Sequence, residues 1–237
     1  CTIACKQEKG TPEGVNFARV ITREVGEYPD TKRTFLPQLC NHCSDAACEA
    51  ACPTGATYTR DDGIVAVDSD ACIGCRACAV SCPYGHRHFL SEGILDESYT
   101  DDREQTPFQE EKYDDWQEGT MVKCDLCAPR IDEGLEPACV DTCPTEARIF
   151  GDWEAEDSLL ESLVEERDGE ALLPEAGTRP NVQYLPDEDV SVSVRENGQS
   201  DLDRTGTRPR PTADELNQNG ADHSEQQSSP VSPSTEV

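Results

Sequence analysis

The sequence predicts an α+β fold in which two tandem cysteine-rich units, made of short hairpins and helices, precede a disordered acidic C-terminal tail. Three observations predict it. All fourteen cysteines lie before residue 144, in dense runs with gaps of two or three residues. A hairpin pattern with Asp-Gly at its turn joins two of these runs directly. After Tyr184 there are no aromatic residues, and Ser, Gln, Pro, Asp and Glu dominate.

The clearest run is Cys72–Pro83, which reads CIGCRACAVSCP. Its spacing, C-x2-C-x2-C-x3-C-P, is the bacterial ferredoxin pattern for ligation of [4Fe–4S] clusters. In two-cluster ferredoxins the first three cysteines bind one cluster and the fourth binds the other. The run therefore predicts a partner run, and tandem bacterial-ferredoxin-like units in which pairs of clusters are related by pseudo-twofold symmetry.

Three further runs follow the same pattern. Residues 1–6 (CTIACK) have the C-x3-C spacing of the second half of a run, so its first two cysteines are expected upstream. Residues 40–53 (CNHCSDAACEAACP) form a complete run with a longer gap before the third cysteine. Residues 124–144 (CDLCAPRIDEGLEPACVDTCP) form another, in which a loop containing two prolines and a glycine predicts a turn rather than a helix.

Two other interpretations of the cysteines are a disulfide-rich secreted protein and a zinc protein. Gaps of two and three residues suit one metal centre better than a network of disulfides. Zinc ribbons use C-x2-C pairs but do not explain three runs that end in C-x3-C-P. His42 lies inside the second run and could be a ligand, as in Rieske centres, or a loop side chain beside the cluster. The four cysteines of that run favour the loop side chain.

In crossed ligation, the last cysteine of each run binds the cluster of the partner run. This rule predicts definite ligand sets. The second and third runs pair through their hairpin, and the first and fourth pair around them. Set I is Cys40, Cys43, Cys48 and Cys82; set II is Cys52, Cys72, Cys75 and Cys78; set III is Cys5, Cys124, Cys127 and Cys139. Cys1 and Cys143 remain for a fourth cluster that needs two more ligands. The expectation is four [4Fe–4S] clusters in the intact parent, three of them fully ligated by this chain.

The pairing predicts the domain boundaries. The outer unit takes residues 1–39 and 84–153, and the inner unit takes residues 40–83. Residues 154–187 form a helix and an extended docking segment, and residues 188–237 form the disordered tail.

The segments between the runs predict short elements. Residues 10–39 alternate apolar positions between breaks, which indicates short strands and loops. Residues 54–71 predict a hairpin that turns at Asp62-Gly63. Residues 84–123 are an acidic insertion, expected to form a hairpin or a docking surface whose aromatic residues make a small core of its own.

Residues 157–173 have the apolar spacing of a short amphipathic helix, with Asp157 or Ser158 as N-cap. Residues 178–186 predict an extended segment.

The charge is strongly acidic, with 49 acidic against 20 basic residues and a net charge of −29. Acidic residues are spread through the cysteine-rich part as well as the tail, which indicates adaptation to high salt. We therefore expect loss of structure in dilute buffer. Nucleic-acid binding is disfavoured because no basic patch could contact phosphates. No apolar stretch is long enough to span a membrane.

Taken together, the four runs resemble the four-cluster iron–sulfur subunit of the molybdopterin oxidoreductase family, which includes dimethyl sulfoxide, polysulfide, tetrathionate and formate-type complexes. The similarity covers roughly residues 1–186 and includes linking phrases such as LCNHCSDAACEAACPTGATY, DGIVAVDSDACIGCRAC and TRPNVQYL. These are most similar to the polysulfide, tetrathionate and dimethyl sulfoxide reductase-like branch. Respiratory nitrate reductase-like subunits carry Trp at the position of Cys75 and hold a [3Fe–4S] centre, so Cys75 implies a complete cubane. Residues 84–123 and the acidic tail are additional to the usual pattern of this family.

The resemblance implies a subunit that transfers electrons and has no catalytic residues. It would relay electrons one at a time between a polytopic membrane subunit that oxidises quinol and a molybdopterin catalytic subunit, in anaerobic respiration. It also implies attachment to the membrane through these partners, on the extracytoplasmic face, after twin-arginine export with the partner. The alternatives are a free polyferredoxin and a zinc-binding structural protein.

Overall fold

The fold consists of small elements that hold the cysteine loops in place. The computed structural model describes residues 1–96, 104–156 and 158–186. Within these ranges every sheet is a pair of antiparallel strands. No helix there combines the length and the apolar character that crossing a membrane needs. The predicted tail, residues 188–237, and the possible cap Asp157 lie outside the described residues.

The helices are one or two turns long. They are α1 (Thr2–Lys9), α2 (Ala47–Ala50), α3 (Ala77–Ser81), α4 (Pro107–Tyr113), α5 (Ala128–Asp132), α6 (Ala138–Asp141) and α7 (Leu159–Glu166). The strands are β1 (Arg19–Val25), β2 (Lys32–Gln38), β3 (Thr57–Thr59), β4 (Val65–Val67), β5 (His88–Phe89), β6 (Met121–Val122), β7 (Glu170–Ala171) and β8 (Gln183–Tyr184). Helices this short are unstable alone, so packing and ligation must hold them.

The predicted hairpin of residues 54–71 is confirmed, and the short strands expected in residues 10–39 also pair as a hairpin. Strands β1 and β2 pair over their full length, from Arg19 opposite Gln38 to Val25 opposite Lys32. Strands β3 and β4 form the hairpin between the second and third runs. Its turn contains Gly63, which has a φ of 79° and donates its N–H to the carbonyl oxygen of Arg60 at 3.0 Å. A positive φ is the conformation for which glycine is suited.

The expectation of a separate aromatic core in residues 84–123 is wrong. Strand β5 pairs with β6 and brings the two ends of this segment together. The indole of Trp116 packs edge-on against Phe17, with ring centroids 5.7 Å apart. Phe17 belongs to the main hydrophobic core, so the insertion adds to that core.

The main core contains two of the predicted ligands. Its buried members are Cys5, Val15, Phe17, Ala18, Leu39, Leu90, Val122 and Cys124. All of them lie within the residues proposed for the outer unit, and Cys40 of the inner unit packs against them. The domain boundaries stay a prediction. Because Cys5 and Cys124 are core residues, ligation of a cluster by these two predicted ligands would be coupled to core formation.

The expectation of a turn without a helix between Cys127 and Cys139 is also wrong. Helix α5 occupies the first part of this loop. Pro129 does not disrupt it because it lies in the first helical turn, where the missing N–H has no intrahelical acceptor. Gly134, with a φ of 77°, follows α5 in the left-handed conformation common after helices.

The predicted C-terminal helix is confirmed as α7, although it ends at Glu166 rather than near residue 173. Ser158 is its N-cap, and its hydroxyl oxygen accepts the N–H of Glu161 at 3.4 Å. Strand β7 follows the helix and pairs with β8, which lies in the predicted extended segment. This pairing returns the chain to the second cysteine run.

Candidate functional site

Each complete run opens with a loop of the same local shape. The residue before its second cysteine has a positive φ in all three: His42 (43°), Gly74 (65°) and Leu126 (54°). Left-handed residues at such positions curl the backbone and turn its N–H groups toward an anion. In the fourth run, for example, the N–H of Leu126 donates to the Sγ of Cys124 at 3.4 Å. The repeated shape suits loops that wrap around anionic clusters.

The last cysteines of the second and fourth runs are stabilised locally as thiolates. Cys52 and Cys143 are each followed by Pro-Thr, and the threonine hydroxyls lie 3.8 and 3.6 Å from the respective Sγ atoms. The backbone N–H of Ala147 donates to the Sγ of Cys143 at 3.3 Å. The hydroxyl of Thr145 and these N–H bonds lower the pKa of Cys143 to about 7. Such an environment stabilises the thiolate, which is the form that binds metal.

The four cysteines of set I line one pocket. They are Cys40, Cys43, Cys48 and Cys82. Burial raises the pKa of Cys82, and the neighbouring thiols of Cys40 and Cys48 add to the effect. The structure thus brings the last cysteine of the third run to the first three cysteines of the second run.

Three thiols of set II, those of Cys52, Cys72 and Cys78, also lie near one another. Burial raises the pKa of Cys78, and Cys72 and Cys52 add to the rise. Cys52 therefore lies near thiols of the third run, and Cys48 of set I also lies near Cys78. Cys75 is exposed, so set II reaches the protein surface.

Set III joins the first and fourth runs. Burial raises the pKa of Cys5 to about 12, and the neighbouring thiols of Cys127 and Cys139 contribute. Burial raises the pKa of Cys124 well above its usual range, and both Cys40 and Cys5 lie near enough to raise it further. Set III therefore adjoins set I at Cys124 and Cys40.

Cys1 is the N-cap of helix α1, and Cys143 lies two residues after the end of helix α6. Helix α1 packs against α6, and an open pocket between them is lined by Cys1 and by Thr142, the residue before Cys143. Among the described residues, no other cysteine lines this pocket. The assignment of all fourteen cysteines to clusters stays a prediction.

The chemistry of these sites fits iron–sulfur clusters. All fourteen cysteines are free thiols, so none is used in a disulfide. Within the described ranges, no group of three or more His, Cys, Asp or Glu side chains is placed to hold a single metal ion. The set I pocket is also lined by Asn41 and His86, whose buried side-chain nitrogens have no hydrogen-bond partner in the described structure. The sulfides of a bound cluster would accept such donors.

His42 keeps one ring nitrogen, Nε2, buried without a hydrogen-bond partner in the described structure, so both of its predicted roles stay predictions. Its ring is buried, and Nδ1 accepts the N–H of Val65 at 3.1 Å. Burial, reinforced by the nearby charges of Lys123 and Arg87, lowers the pKa of His42 well below its usual range. The neutral imidazole therefore holds the loop of the second run against strand β4.

Sequence reasoning did not identify the sulfur contact of Arg87 or the role of the segment 178–181. The Nη2 of Arg87 donates to the Sγ of Cys48 at 2.9 Å. Arg76, the arginine inside the third run, instead stacks its guanidinium over the Phe89 ring at 3.7 Å from the centroid. The available signal for Arg87 was a basic residue four positions after the third run in a very acidic chain.

The segment 178–181 closes over the second run. The N–H of Ser44 donates to the carbonyl oxygen of Arg179 at 2.9 Å, and the N–H of Asn181 donates to that of Asn41 at 3.0 Å. The side-chain amide of Asn181 also donates to the carbonyl oxygen of His42 at 2.7 Å. Residues far apart in the chain thereby hold the loop that carries Cys40 and Cys43.

Comparisons with known proteins agree with this chemistry. The 4Fe-4S dicluster domain family matches residues 31–93 and residues 89–153. A Halobacterium salinarum protein, named as a candidate iron–sulfur subunit of dimethyl sulfoxide reductase, is 40% identical over 200 residues, covering 78% of this chain and 72% of the relative. The arsenate respiratory reductase iron–sulfur subunit of a Shewanella species is 36% identical over 78% of this chain and 89% of its own length. A tetrathionate reductase subunit of Salmonella typhimurium is 36% identical, over 81% of this chain and 69% of the relative.

Proposed function

The chain belongs to the [4Fe–4S] electron-transfer subunits of the molybdopterin oxidoreductases, and on that premise we propose that it relays electrons from a quinol-oxidising membrane subunit to a molybdopterin catalytic subunit in anaerobic respiration. Each bound cluster would take up and release one electron at a time. The chain's own residues hold the clusters in order, exclude water from the buried sets and supply hydrogen bonds to sulfur.

The observation that carries the proposal is the continuity of the thiol sets. Set III approaches set I at Cys124 and Cys40, and set I approaches set II at Cys48 and Cys78. The exposed Cys75 marks one end of this series, and the surface pocket beside Cys1 marks the other. This arrangement supports electron entry at one end and exit at the other, each toward a different partner.

The proposed partners follow from the names of the relatives. Those proteins are named as subunits of reductases, two of them as iron–sulfur subunits, which supports a catalytic subunit as one partner of this chain. We propose a polytopic membrane anchor as the other partner. The complex would lie on the extracytoplasmic face after twin-arginine export with its catalytic partner. The acidic composition and the Halobacterium relative support function in high salt.

A pair of cysteine substitutions tests the crossed ligand sets. In the purified complex, Cys82→Ser should damage the cluster of set I, whereas Cys75→Ser should damage that of set II. Each variant should alter a different signal in the EPR spectrum of the reduced protein and lose up to about four iron atoms. Cys75 and Cys82 belong to the same run. If both substitutions alter the same signal, that run binds a single cluster and the crossed assignment is wrong.

Purification tests the relay itself. Extraction of host membranes in molar salt should yield this chain together with a large molybdenum-containing subunit, with acid-labile sulfide equal to iron. A stable free monomer carrying clusters would instead indicate a polyferredoxin. Zinc without sulfide would rule out electron transfer.

A further inference from the structure

Arg87 is a buried cation in a chain whose net charge is −29. It lies just before strand β5, and only 3% of its surface is exposed. A guanidinium group stays protonated in proteins, so its charge must be stabilised inside the fold. Burying a charge is costly unless an opposite charge or several hydrogen bonds compensate.

The contacts of Arg87 lead to the ligand sets. Its Nη2 donates to the Sγ of Cys48 in set I at 2.9 Å, and its Nη1 donates to the hydroxyl of Thr57 at 3.1 Å. The backbone N–H of Thr57 in turn donates to the Sγ of Cys52 in set II at 3.4 Å. Cys78, also in set II, lies within reach of the guanidinium charge. Arg87 therefore stands between the two inner sets.

Neither hydrogen bond of Arg87 in the described structure goes to a carboxylate. The compensating negative charge that the geometry offers is that of ligated sulfur. Lys123 is also buried, but its Nζ donates to the carbonyl oxygen of Cys124 at 2.6 Å rather than to sulfur. Of these two buried cations, Arg87 is thus the one whose side chain donates a hydrogen bond directly to a cysteine sulfur.

We propose that Arg87 raises the reduction potentials of the two clusters bound by sets I and II, with the larger effect on set I. When one electron arrives from the neighbouring cluster, the acceptor gains one negative charge and no proton. A fixed positive charge nearby stabilises that product and therefore favours reduction. The many surface carboxylates act in the opposite direction, but molar salt screens them while a buried charge is screened far less.

The inference rests on the proposed ligand sets and makes Arg87 a residue that sets cluster potentials through its charge. The competing explanation is a purely structural role, in which Arg87 only holds the loop through Thr57. Four variants separate the two. Arg87→Gln removes the charge, Arg87→Lys keeps a charge but loses the planar fork, and Thr57→Val removes only the hydroxyl contact. Arg33→Gln makes the same change in net charge at an exposed position on β2.

The measurement is an EPR-monitored redox titration of the cluster-loaded complex in molar salt, with iron content as the check on assembly. Arg87→Gln should lower the equilibrium constant for reduction of the set I cluster at least tenfold, or about 59 mV for one electron. The set II cluster should shift in the same direction by less, and Arg87→Lys should give an intermediate shift. Thr57→Val and Arg33→Gln should change the constant less than about twofold, below the tenfold effect.

Three results would overturn the inference. The first is an unchanged set I potential in a fully loaded Arg87→Gln complex. The second is a shift in Thr57→Val as large as that in Arg87→Gln. The third is a shift seen only in the set II signal, which is the signal that Cys82→Ser leaves intact. If Arg87→Gln does not assemble its clusters, Arg87→Lys decides, because an unchanged potential there also contradicts the proposal. The EPR titration measures the potentials of the clusters directly. Absence of the proposed partner would refute the relay, but it would produce none of these three results.

Discussion

Replacing Asn181 by Ala should loosen the loop that carries Cys40 and Cys43. The Nδ2 of Asn181 donates to the carbonyl oxygen of His42 at 2.7 Å, and its Oδ1 accepts the hydroxyl of Ser44 at 3.0 Å. The backbone N–H of Asn181 would keep its own bond to this loop. The substitution therefore removes two hydrogen bonds between the C-terminal segment and the second run while leaving the segment in place.

The magnitude depends on the exposure of the two bonds. A hydrogen bond contributes about 1 kcal/mol net, and an acceptor left buried without a donor costs about 1–3 kcal/mol. The bond to His42 is partly buried, whereas that to Ser44 is exposed and water can replace it. Together they stabilise the closed loop by about 2 kcal/mol. At about 1.36 kcal/mol per factor of ten, the open population should rise about thirtyfold.

The assay is the anaerobic loss of cluster absorbance in the presence of excess iron chelator, at constant molar salt. When the loop recloses faster than iron is lost, the rate depends on the open population. One kinetic phase of Asn181→Ala should then be about thirtyfold faster than in the unsubstituted chain. Asp45→Asn is the matched control, because it removes an exposed ion pair between the same two segments, to Arg179, and such pairs contribute little. A rate within about threefold of the unsubstituted chain, or an equal acceleration in Asp45→Asn, would refute the reasoning.

Two further substitutions test the loops and the core. A Cβ at Gly74, where φ is +65°, would lie 2.0 Å from the carbonyl oxygen of Gly119, so Gly74→Ala should distort the third run and lose about four iron atoms on analysis. Gly93→Ala, where φ is +81° and nothing lies within 4 Å of a Cβ, should retain them, and equal iron contents would contradict the steric argument. Leu90 is 0% exposed, so Leu90→Ala should reduce stability by about 2–5 kcal/mol and lower the denaturant midpoint measured by circular dichroism. Leu135→Ala, at a side chain 48% exposed, should leave the midpoint nearly unchanged, and similar midpoints for the two variants would show that Leu90 is not a core residue.

Prediction of secondary structure succeeded where the determining signal is local. The β3–β4 hairpin is encoded by an Asp-Gly turn between short apolar strands, and α7 by apolar spacing after Ser158. Prediction failed at α5, because a proline ends a helix in its interior but is accepted in its first turn. It also failed for the aromatic residues of the insertion, since the partner of Trp116 is Phe17, in a distant part of the chain.

The sequence alone determined the kind of cofactor, and it predicts a crossed assignment of the ligands. Thiols separated by two or three residues must lie on one small loop, so their spacing carries the geometry of the site. Only the tertiary structure decided which other groups surround those thiols. Arg87 reaches Cys48 across 39 residues, and Asn181 reaches His42 across 139. Contacts of that separation depend on how hairpins and helices pack together, and no local spacing encodes them. The pattern of cysteines thus predicts clusters that can accept and release electrons. The packing around the cysteines determines which charged groups lie next to each cluster.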